Sequence, residues 1–224
     1  MSDIAAVLFD LDGVLVDSEI WWDEVRTAFA ARHGRPWGPA DQAAVMGANS
    51  AAWARIMRER LDLEVDEPTI ERDIVDRVVE RYRVEGPPLI PGAVDAVRRI
   101  ALGWPVAVAS SAHSDVIAAA LTATGLTDVF GTVVSSDEVA HGKPAPDVYL
   151  EAARRLGVEP AACLVVEDSL NGVRSALAAG MTVVLIPNSS VPPAPGATEL
   201  ADAVLDDIVS LEPSLFTSRR REVD

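Results

Sequence analysis

Two acidic residues follow the first apolar run of this chain. Asp10 and Asp12 come directly after residues 4–9, in the motif Asp10-Leu11-Asp12-Gly13. Two carboxylates this close repel each other unless a proton or a cation offsets their charge. An Asp-Gly pair alone is common in polar turns, but an apolar strand that runs straight into this motif is far more specific. The motif therefore predicts a site that holds a proton or binds a cation.

Two later groups supply complementary chemistry. Ser110 and Ser111 place hydroxyls just before a predicted helix start, where a phosphate oxygen binds well. Glu167 and Asp168 follow another apolar run, and Mg²⁺ prefers carboxylate oxygens of this kind. Taken singly, the serines also suit an ordinary turn and the acids also suit a helix cap at Ser169. Together with the first motif they favour a magnesium-assisted phosphate site.

Lys143 is the only lysine among the 19 basic residues of the chain. Lysine is a compact point charge that reaches a phosphate or a carboxylate without the planar fork of arginine. Its single use here, in Gly142-Lys143-Pro144, indicates a site that requires an ammonium group.

The elements that must position these groups alternate between strands and helices. Apolar runs at 4–9, 105–109, 129–134, 162–166 and 181–186 predict buried strands. Capping residues and terminal glycines predict helices over 114–125, 146–157 and 169–180. Runs that are apolar on both faces suit a parallel sheet covered by helices on each side. We therefore predict a doubly wound α/β fold, in which the carboxyl ends of the strands bring the site together.

One segment of about 70 residues lacks strand patterns. Residues 17–86 are rich in Ala, Arg, Glu and Asp and predict several amphipathic helices. Four of the five tryptophans lie there, and a small helical unit needs such side chains for its core. We predict an α/β core formed by 1–16 and 87–224, interrupted by an all-helical insert over 17–86.

Composition narrows the class of partner. The formal net charge of −16 disfavours nucleic acid and anionic membranes, and we interpret the three arginines at 219–221 as a solvated tail. The acidic N-terminus is unlike a signal peptide, so we expect a cytoplasmic protein. The single cysteine, Cys163, excludes an intrachain disulfide and a cysteine-rich zinc site. We expect a monomer and leave a dimer open.

Four motifs occur in an order that resembles the haloacid dehalogenase superfamily of phosphotransferases. They are Asp10-Leu11-Asp12-Gly13, Ser110, Lys143 and Glu167-Asp168. The chain is most similar to the subgroup that includes β-phosphoglucomutase and sugar-phosphate phosphatases. The resemblance covers nearly the whole chain, and the insert resembles the helical cap of that subgroup, with the same α/β core.

The resemblance implies a mechanism for these residues. Asp10 would be the nucleophile that forms an aspartyl-phosphate, and Asp12 would be the general acid and then the general base. Mg²⁺ would be held by the Asp10 carboxylate, the Asp12 carbonyl and Asp168, with Glu167 supporting the metal or its waters. The phosphoryl oxygens would be bound by Ser110 and Lys143, together with the backbone of Leu11 and Ser111.

The resemblance leaves the reaction open between three alternatives. Asp12 favours phosphoryl transfer over dehalogenation. In the mutase a histidine lies ten residues after the second Asp, where this chain has Trp22, and the mutase's cap arginine has no counterpart in residues 47–50. We therefore predict hydrolysis of a small phosphate monoester, with a phosphomutase and an inactive binding or regulatory homologue as alternatives. Trp22, Asn49 and Trp53 are predicted to line the cap side of the cleft.

Overall fold

Six parallel strands form the centre of the molecule. The structure is a computed structural model that describes residues 4–46 and 48–216. In chain order the strands are β1 (Ala6–Phe9), β2 (Val106–Ser110), β3 (Thr132–Ser135), β4 (Cys163–Glu167), β5 (Thr182–Leu185) and β6 (Ala203–Val204). Their order across the sheet is β3-β2-β1-β4-β5-β6, so β1 lies between β2 and β4.

Helices cover both faces of the sheet. Those that follow the insert are α5 (Ala93–Ala101), α6 (Ser114–Thr124), α7 (Asp147–Leu156), α8 (Leu170–Ala178) and α9 (Ala197–Leu200). Along β1, Val7 and Phe9 pack into one apolar layer while Ala6 and Leu8 pack into the other. Because strand side chains alternate between faces, two covered faces require the continuous apolar run seen in the sequence. The predicted doubly wound α/β fold is confirmed.

Four of the five described helices between β1 and β2 lie within the predicted insert. They are α1 (Glu19–Arg32), α2 (Pro39–Val45), α3 (Ser50–Leu61) and α4 (Glu67–Val84). Side-chain caps begin two of them: Asn49 accepts from the Ala52 amide, and Asp66 accepts from the Thr69 amide. We call these four helices the cap, and the division of the chain at 16/17 and 86/87 stays a proposal.

The structure differs from the sequence prediction mainly at element ends. The third strand begins at Thr132 rather than 129, and the predicted helices after β2, β3 and β4 begin and end within about two residues of their expected positions. The two-residue β6 was not predicted, because so short an edge strand leaves no periodic pattern. The arginine tail at 219–221 and Gly47 lie outside the described residues. Of the helices in 4–46 and 48–216, none has the length and apolarity to cross a bilayer.

Candidate active site

The predicted chemical groups meet at the carboxyl edge of three neighbouring strands. Asp10 follows β1 directly, Ser110 is the last residue of β2, and Glu167 is the last residue of β4. Hydrogen bonding from the Asp10 amide to the Val166 carbonyl, at 3.0 Å, keeps the chain after β1 beside β4. The strand order therefore brings together residues that are about 100 and about 157 positions apart in the sequence.

Lys143 lies between two carboxylates. Its Nζ is 3.0 Å from Asp10 Oδ1 and 2.6 Å from Glu167 Oε1. It also lies 4.7 Å from the centroid of the Tyr149 ring. The contact with Glu167 is a hydrogen bond, and the contact with Asp10 is an ion pair. The sole lysine of the chain therefore contacts the predicted nucleophile.

Glu167 has both of its oxygens occupied by protein donors. Tyr149 Oη donates to Oε1 at 2.8 Å, beside the bond from Lys143. Oε2 accepts from the amides of Asp168 and Ser169 and from Ser169 Oγ, each at 3.0 Å. The backbone of Gly172 is so close that a Cβ there would lie 1.7 Å from Glu167 Oε1. These contacts favour Glu167 as the group that positions Lys143.

The pKa values of the acidic groups show how charge is distributed at this edge of the sheet. Burial raises the pKa of Asp10 to about 7, against the opposing charge of Lys143. Burial and the charge of Glu167 raise the pKa of Asp168 well above its usual range. Burial acts against ionisation of Glu167, but Lys143 holds its pKa below the usual value. One lysine thus compensates Glu167 and leaves the negative charge of Asp10 and Asp168 incompletely offset.

A divalent cation fits this surplus of negative charge. One carboxylate oxygen from each of Asp10, Glu167 and Asp168 lies within 4.8 Å of the others. Since protein donors occupy both oxygens of Glu167, Asp10 and Asp168 are left to coordinate an ion. Gly13 adopts a φ of +79°, and a Cβ at that position would lie 1.9 Å from Asp168 Oδ2. The absence of a side chain at Gly13 therefore makes room for the Asp168 carboxylate. Oxygen donors of this kind suit a hard cation such as Mg²⁺.

Asp12 is held by residues from the start of the cap. Ser18 Oγ donates a hydrogen bond to Asp12 Oδ1. Burial, followed by the charge of Glu19, raises the pKa of Asp12 to about 6, while hydrogen bonds from Ser18 and Trp22 act in the opposite direction. A carboxyl group with a pKa near neutrality can both donate and accept a proton, as a general acid and base must.

A cavity of about 220 Å³ lies between the sheet edge and the cap. Its core side includes the predicted site residues Asp10, Asp12, Ser110, Ser111, Lys143 and Asp168. On its cap side lie Trp22 and Trp53, in the positions expected for them. Asn49 is not part of this wall, because its side chain caps α3 and lies beside Gly142. A substrate contact from Asn49 therefore stays a prediction.

Sequence reasoning missed four residues of this region. Ser18 and Glu19 act on Asp12, Tyr149 holds Glu167, and Arg26 lines the cap side of the cavity. Arg26 left a signal in the sequence, since Trp22, Arg26 and Phe29 follow helical spacing and place a charge on the apolar stripe of α1. The other three gave no local signal, because their roles depend on contacts between distant elements.

Comparisons with known proteins agree with this geometry. A family model described as haloacid dehalogenase-like hydrolase matches residues 4–180. The chain is 31% identical over 212 residues to the bifunctional riboflavin kinase/FMN phosphatase of Arabidopsis thaliana, covering 92% of this chain but only 54% of that protein, about half its length. It is 30% identical over 223 residues to hexitol phosphatase B of Escherichia coli strain K12, covering 93% and 94% of the two chains. The crystal structure of CbbY from Rhodobacter sphaeroides in complex with phosphate has a TM-score of 0.82 and 26% identity, covering 95% of this chain and 100% of that one.

Proposed function

This chain belongs to the haloacid dehalogenase-like hydrolases, and we propose that it is a Mg²⁺-dependent phosphatase of small phosphate monoesters, such as sugar phosphates. The observation that carries the proposal is the meeting of Asp10, Lys143 and Asp168 at one strand edge, open to the same cavity as Asp12. The family resemblance seen in the motifs is confirmed. We further propose that the protein is cytoplasmic and acts as a monomer, with a dimer as the alternative.

Asp10 and Asp12 divide the reaction between them. The Asp10 carboxylate attacks phosphorus, an Asp10 Oδ–phosphorus bond forms, and the bond to the leaving oxygen breaks. Asp12 gives its proton to that oxygen, so the alcohol leaves neutral. Asp12 then removes a proton from water as the water oxygen attacks the phosphoryl group, which releases inorganic phosphate and restores the Asp10 carboxylate.

The remaining residues orient the phosphoryl group and offset its charge. Lys143, fixed by Glu167, presents an ammonium group to a phosphoryl oxygen bound beside Asp10, and Ser110 and Ser111 offer donors at the end of β2. Mg²⁺ held by Asp10, Asp168 and the Asp12 carbonyl would neutralise the charge between an anionic nucleophile and an anionic substrate. These short-range charges explain how a chain with a net charge of −16 binds an anion.

Trp22 favours hydrolysis over a mutase reaction. An indole N–H donates a hydrogen bond, but it does not act as an acid or a base near neutral pH. Trp22 therefore holds Asp12 without replacing the histidine that the mutase has at this position. The residues 47–50 also carry no arginine.

Phosphate release distinguishes the alternatives. The purified protein is incubated with p-nitrophenyl phosphate and a panel of sugar and other metabolite phosphates, with Mg²⁺ or with EDTA. We expect Mg²⁺-dependent release of inorganic phosphate, its loss with EDTA, and its loss in Asp10→Asn with the native circular dichroism spectrum retained. Asp206→Asn, which removes an exposed carboxylate, is the matched control and should retain activity.

Two other outcomes would replace the proposal. Rearranged phosphate without release would identify a mutase. Silence across the panel, with well-folded protein, would favour the binding or regulatory homologue. Substantial turnover in Asp10→Asn would remove Asp10 from the role of nucleophile.

A further inference from the structure

Arg26 is a buried cation in the cap wall of the cavity. The residue is only 5% exposed, although it lies on α1, a helix at the surface of the cap. Its Nη1 donates a hydrogen bond to Gln42 Oε1 at 3.3 Å. Its Nε has no hydrogen-bond partner among residues 4–46 and 48–216. A buried guanidinium normally uses its donors fully, so the protein leaves this one incompletely satisfied. The Nε atom itself is closed to solvent, and a ligand would meet the part of Arg26 that lines the cavity.

Two tryptophans fix the plane of this guanidinium. Arg26 Cζ lies 5.0 Å from the centroid of the Trp22 ring and 5.4 Å from that of the Trp53 ring. The two indole rings are 6.2 Å apart and inclined by 61°. Cation–π contacts of this kind hold the fork in one orientation before a ligand arrives. The indoles of Trp22 and Trp53, predicted to line the cleft, therefore pack against Arg26.

Arg26 forms no ion pair with a carboxylate among the described residues, although the charges of Glu19, Asp23 and Asp12 act on it at longer range. Burial lowers its pKa to about 10, so it is still a cation at neutral pH. Glu19 is the acid that acts on it most strongly, yet within the described part of the chain no carboxylate forms an ion pair with it. An unpaired buried charge is costly, and an anionic ligand group would remove that cost.

Arg26 is separate from the groups that handle the transferred phosphoryl. Lys143 serves that group and already contacts two carboxylates on the core side. Arg26 comes from the cap helix α1 and Lys143 from the chain before α7, and both line the same cavity. A ligand with one anionic group would use Lys143 and leave Arg26 unpaired.

We propose that Arg26 binds a second anionic group of the substrate, a carboxylate or a second phosphate, held in the plane set by Trp22 and Trp53. This inference rests on the proposed phosphatase function and specifies its substrate class. The geometry suits either anion, because a guanidinium fork matches both.

Ligands that differ in one group test the assignment by binding, independently of turnover. Calorimetry with Mg²⁺ on Asp10→Asn compares 3-phosphoglycerate with glycerol 3-phosphate, and fructose 1,6-bisphosphate with fructose 1-phosphate. In at least one pair we expect the doubly anionic ligand to bind about 10- to 100-fold more tightly. Preference in the first pair indicates a carboxylate, and preference in the second a phosphate.

Variants of Arg26 in the Asp10→Asn background identify the source of the preference. Arg26→Gln should abolish it, whereas Arg26→Lys, which keeps the charge but not the fork, should retain part of it. Arg26→Met keeps an apolar stem between the indoles and replaces Arg26→Gln if that variant fails to fold. Arg55→Gln, which removes an exposed arginine of the same cap, should leave the preference unchanged.

The assignment would be overturned if both members of each pair bound equally well, or if no ligand bound at all. It would also be overturned if Arg26→Gln lowered the affinity for both members of a pair by the same factor. Failure of the phosphatase proposal is distinguishable. In that case the Arg26-dependent preference persists in the binding experiment while the wild-type chain releases no phosphate from any compound.

Discussion

Lys143 Nζ lies 2.6 Å from Glu167 Oε1, and the two side chains are 2% and 0% exposed. Glu167 accepts four further hydrogen bonds, so its carboxylate is fixed on every side. The ammonium group of Lys143 is consequently held at one point, 3.0 Å from Asp10. The order Asp10, Lys143, Glu167 links the carboxylate proposed as nucleophile to a group on the neighbouring strand.

Removal of the Lys143 charge should affect both activity and stability. Lys143→Met leaves Glu167 buried without its counter-ion, and breaking a buried pair in this way costs about 3–5 kcal/mol of unfolding free energy. Loss of a charge aimed at the phosphoryl group should lower kcat by about 100-fold or more. Urea unfolding and phosphate release measure the two effects.

An exposed ion pair provides the control for Lys143→Met. Arg154 pairs with Glu151 at 2.7 Å, and its side chain is 70% exposed. Arg154→Met should therefore change the unfolding free energy by less than about 1 kcal/mol and leave kcat unchanged. If Lys143→Met were as mild as Arg154→Met, the buried pair would not have the role described here.

Replacement of Gly13 should lower activity by more than its effect on folding explains. Gly13→Ala places a Cβ where the Asp168 carboxylate lies, at a backbone φ of +79°. The strained φ costs about 1–2 kcal/mol, and displacement of Asp168 should weaken Mg²⁺-dependent turnover by about tenfold or more. Steady-state kinetics at several Mg²⁺ concentrations measure the loss.

Gly157→Ala separates strain from displacement. Gly157 has a φ of +69°, and a Cβ there would meet no atom within 4 Å. The variant should lose a similar amount of stability but keep its turnover. Equal kinetic losses in the two alanine variants would show that strain, and not the position of Asp168, explains the effect.

The sequence predicted the architecture because its signals are local. Continuous apolar runs identified the buried strands, and capping residues placed the helices after β2, β3 and β4 within about two residues. The strand β6 could not be predicted in this way, because Ala203 and Val204 form only two residues of ladder beside β5. Its place depends on the packing of the chain after α9 and not on a periodic pattern.

Tryptophan emission should report occupancy of the cavity. Trp22 and Trp53 lie on its wall, whereas the indole of Trp104 donates to the Ile4 carbonyl on the far side of the core. Binding of beryllium trifluoride, a phosphate analogue, with Mg²⁺ should therefore change the emission. Trp22→Phe should reduce the change and Trp104→Phe should preserve it. An unchanged spectrum at saturation would indicate that neither the cap nor the two wall indoles respond to the ligand.

Glu151 should contribute an acid-sensitive part of the stability. Hydrogen bonds from Arg154 and then Arg155 lower the pKa of this carboxyl from its ordinary value near 4.5 to about 2. A lowered pKa in the folded state gives stability that is complete above about pH 4.5 and lost as the pH falls towards about 2. The difference in Tm between the wild type and Glu151→Gln should therefore be largest near neutral pH and shrink on acidification.

Thermal unfolding followed by circular dichroism between about pH 3 and about pH 7 tests this dependence. Glu64→Gln, at an exposed position before α4, is the control and should give only a small difference in Tm. A difference for Glu151→Gln that grew on acidification would contradict the assigned direction.

The sequence identified those candidate site residues whose side-chain type alone suggests a chemical role. Asp10, Lys143 and Asp168 could be identified because acids and a sole lysine stand out after apolar runs. The sequence did not reveal that the Asn49 oxygen caps α3, and a ligand contact from Asn49 stays a prediction. Arg26 was missed because a charged residue on an apolar stripe acquires meaning only once its partners are known to be aromatic rings.

The hydrogen bond from Ser18 to Asp12 sets a limit on how this protein can be recombined with its relatives. Ser18 precedes the first turn of α1, so the residue that holds Asp12, the proposed proton donor, belongs to the start of the cap and not to the sheet. A chimera that exchanged the helices from residue 18 onward would also exchange the hydroxyl on which Asp12 depends. A graft that keeps Ser18 and Trp22 from this chain, and replaces only α2 to α4, would alter ligand selectivity while preserving the hydrogen bonds to Asp12.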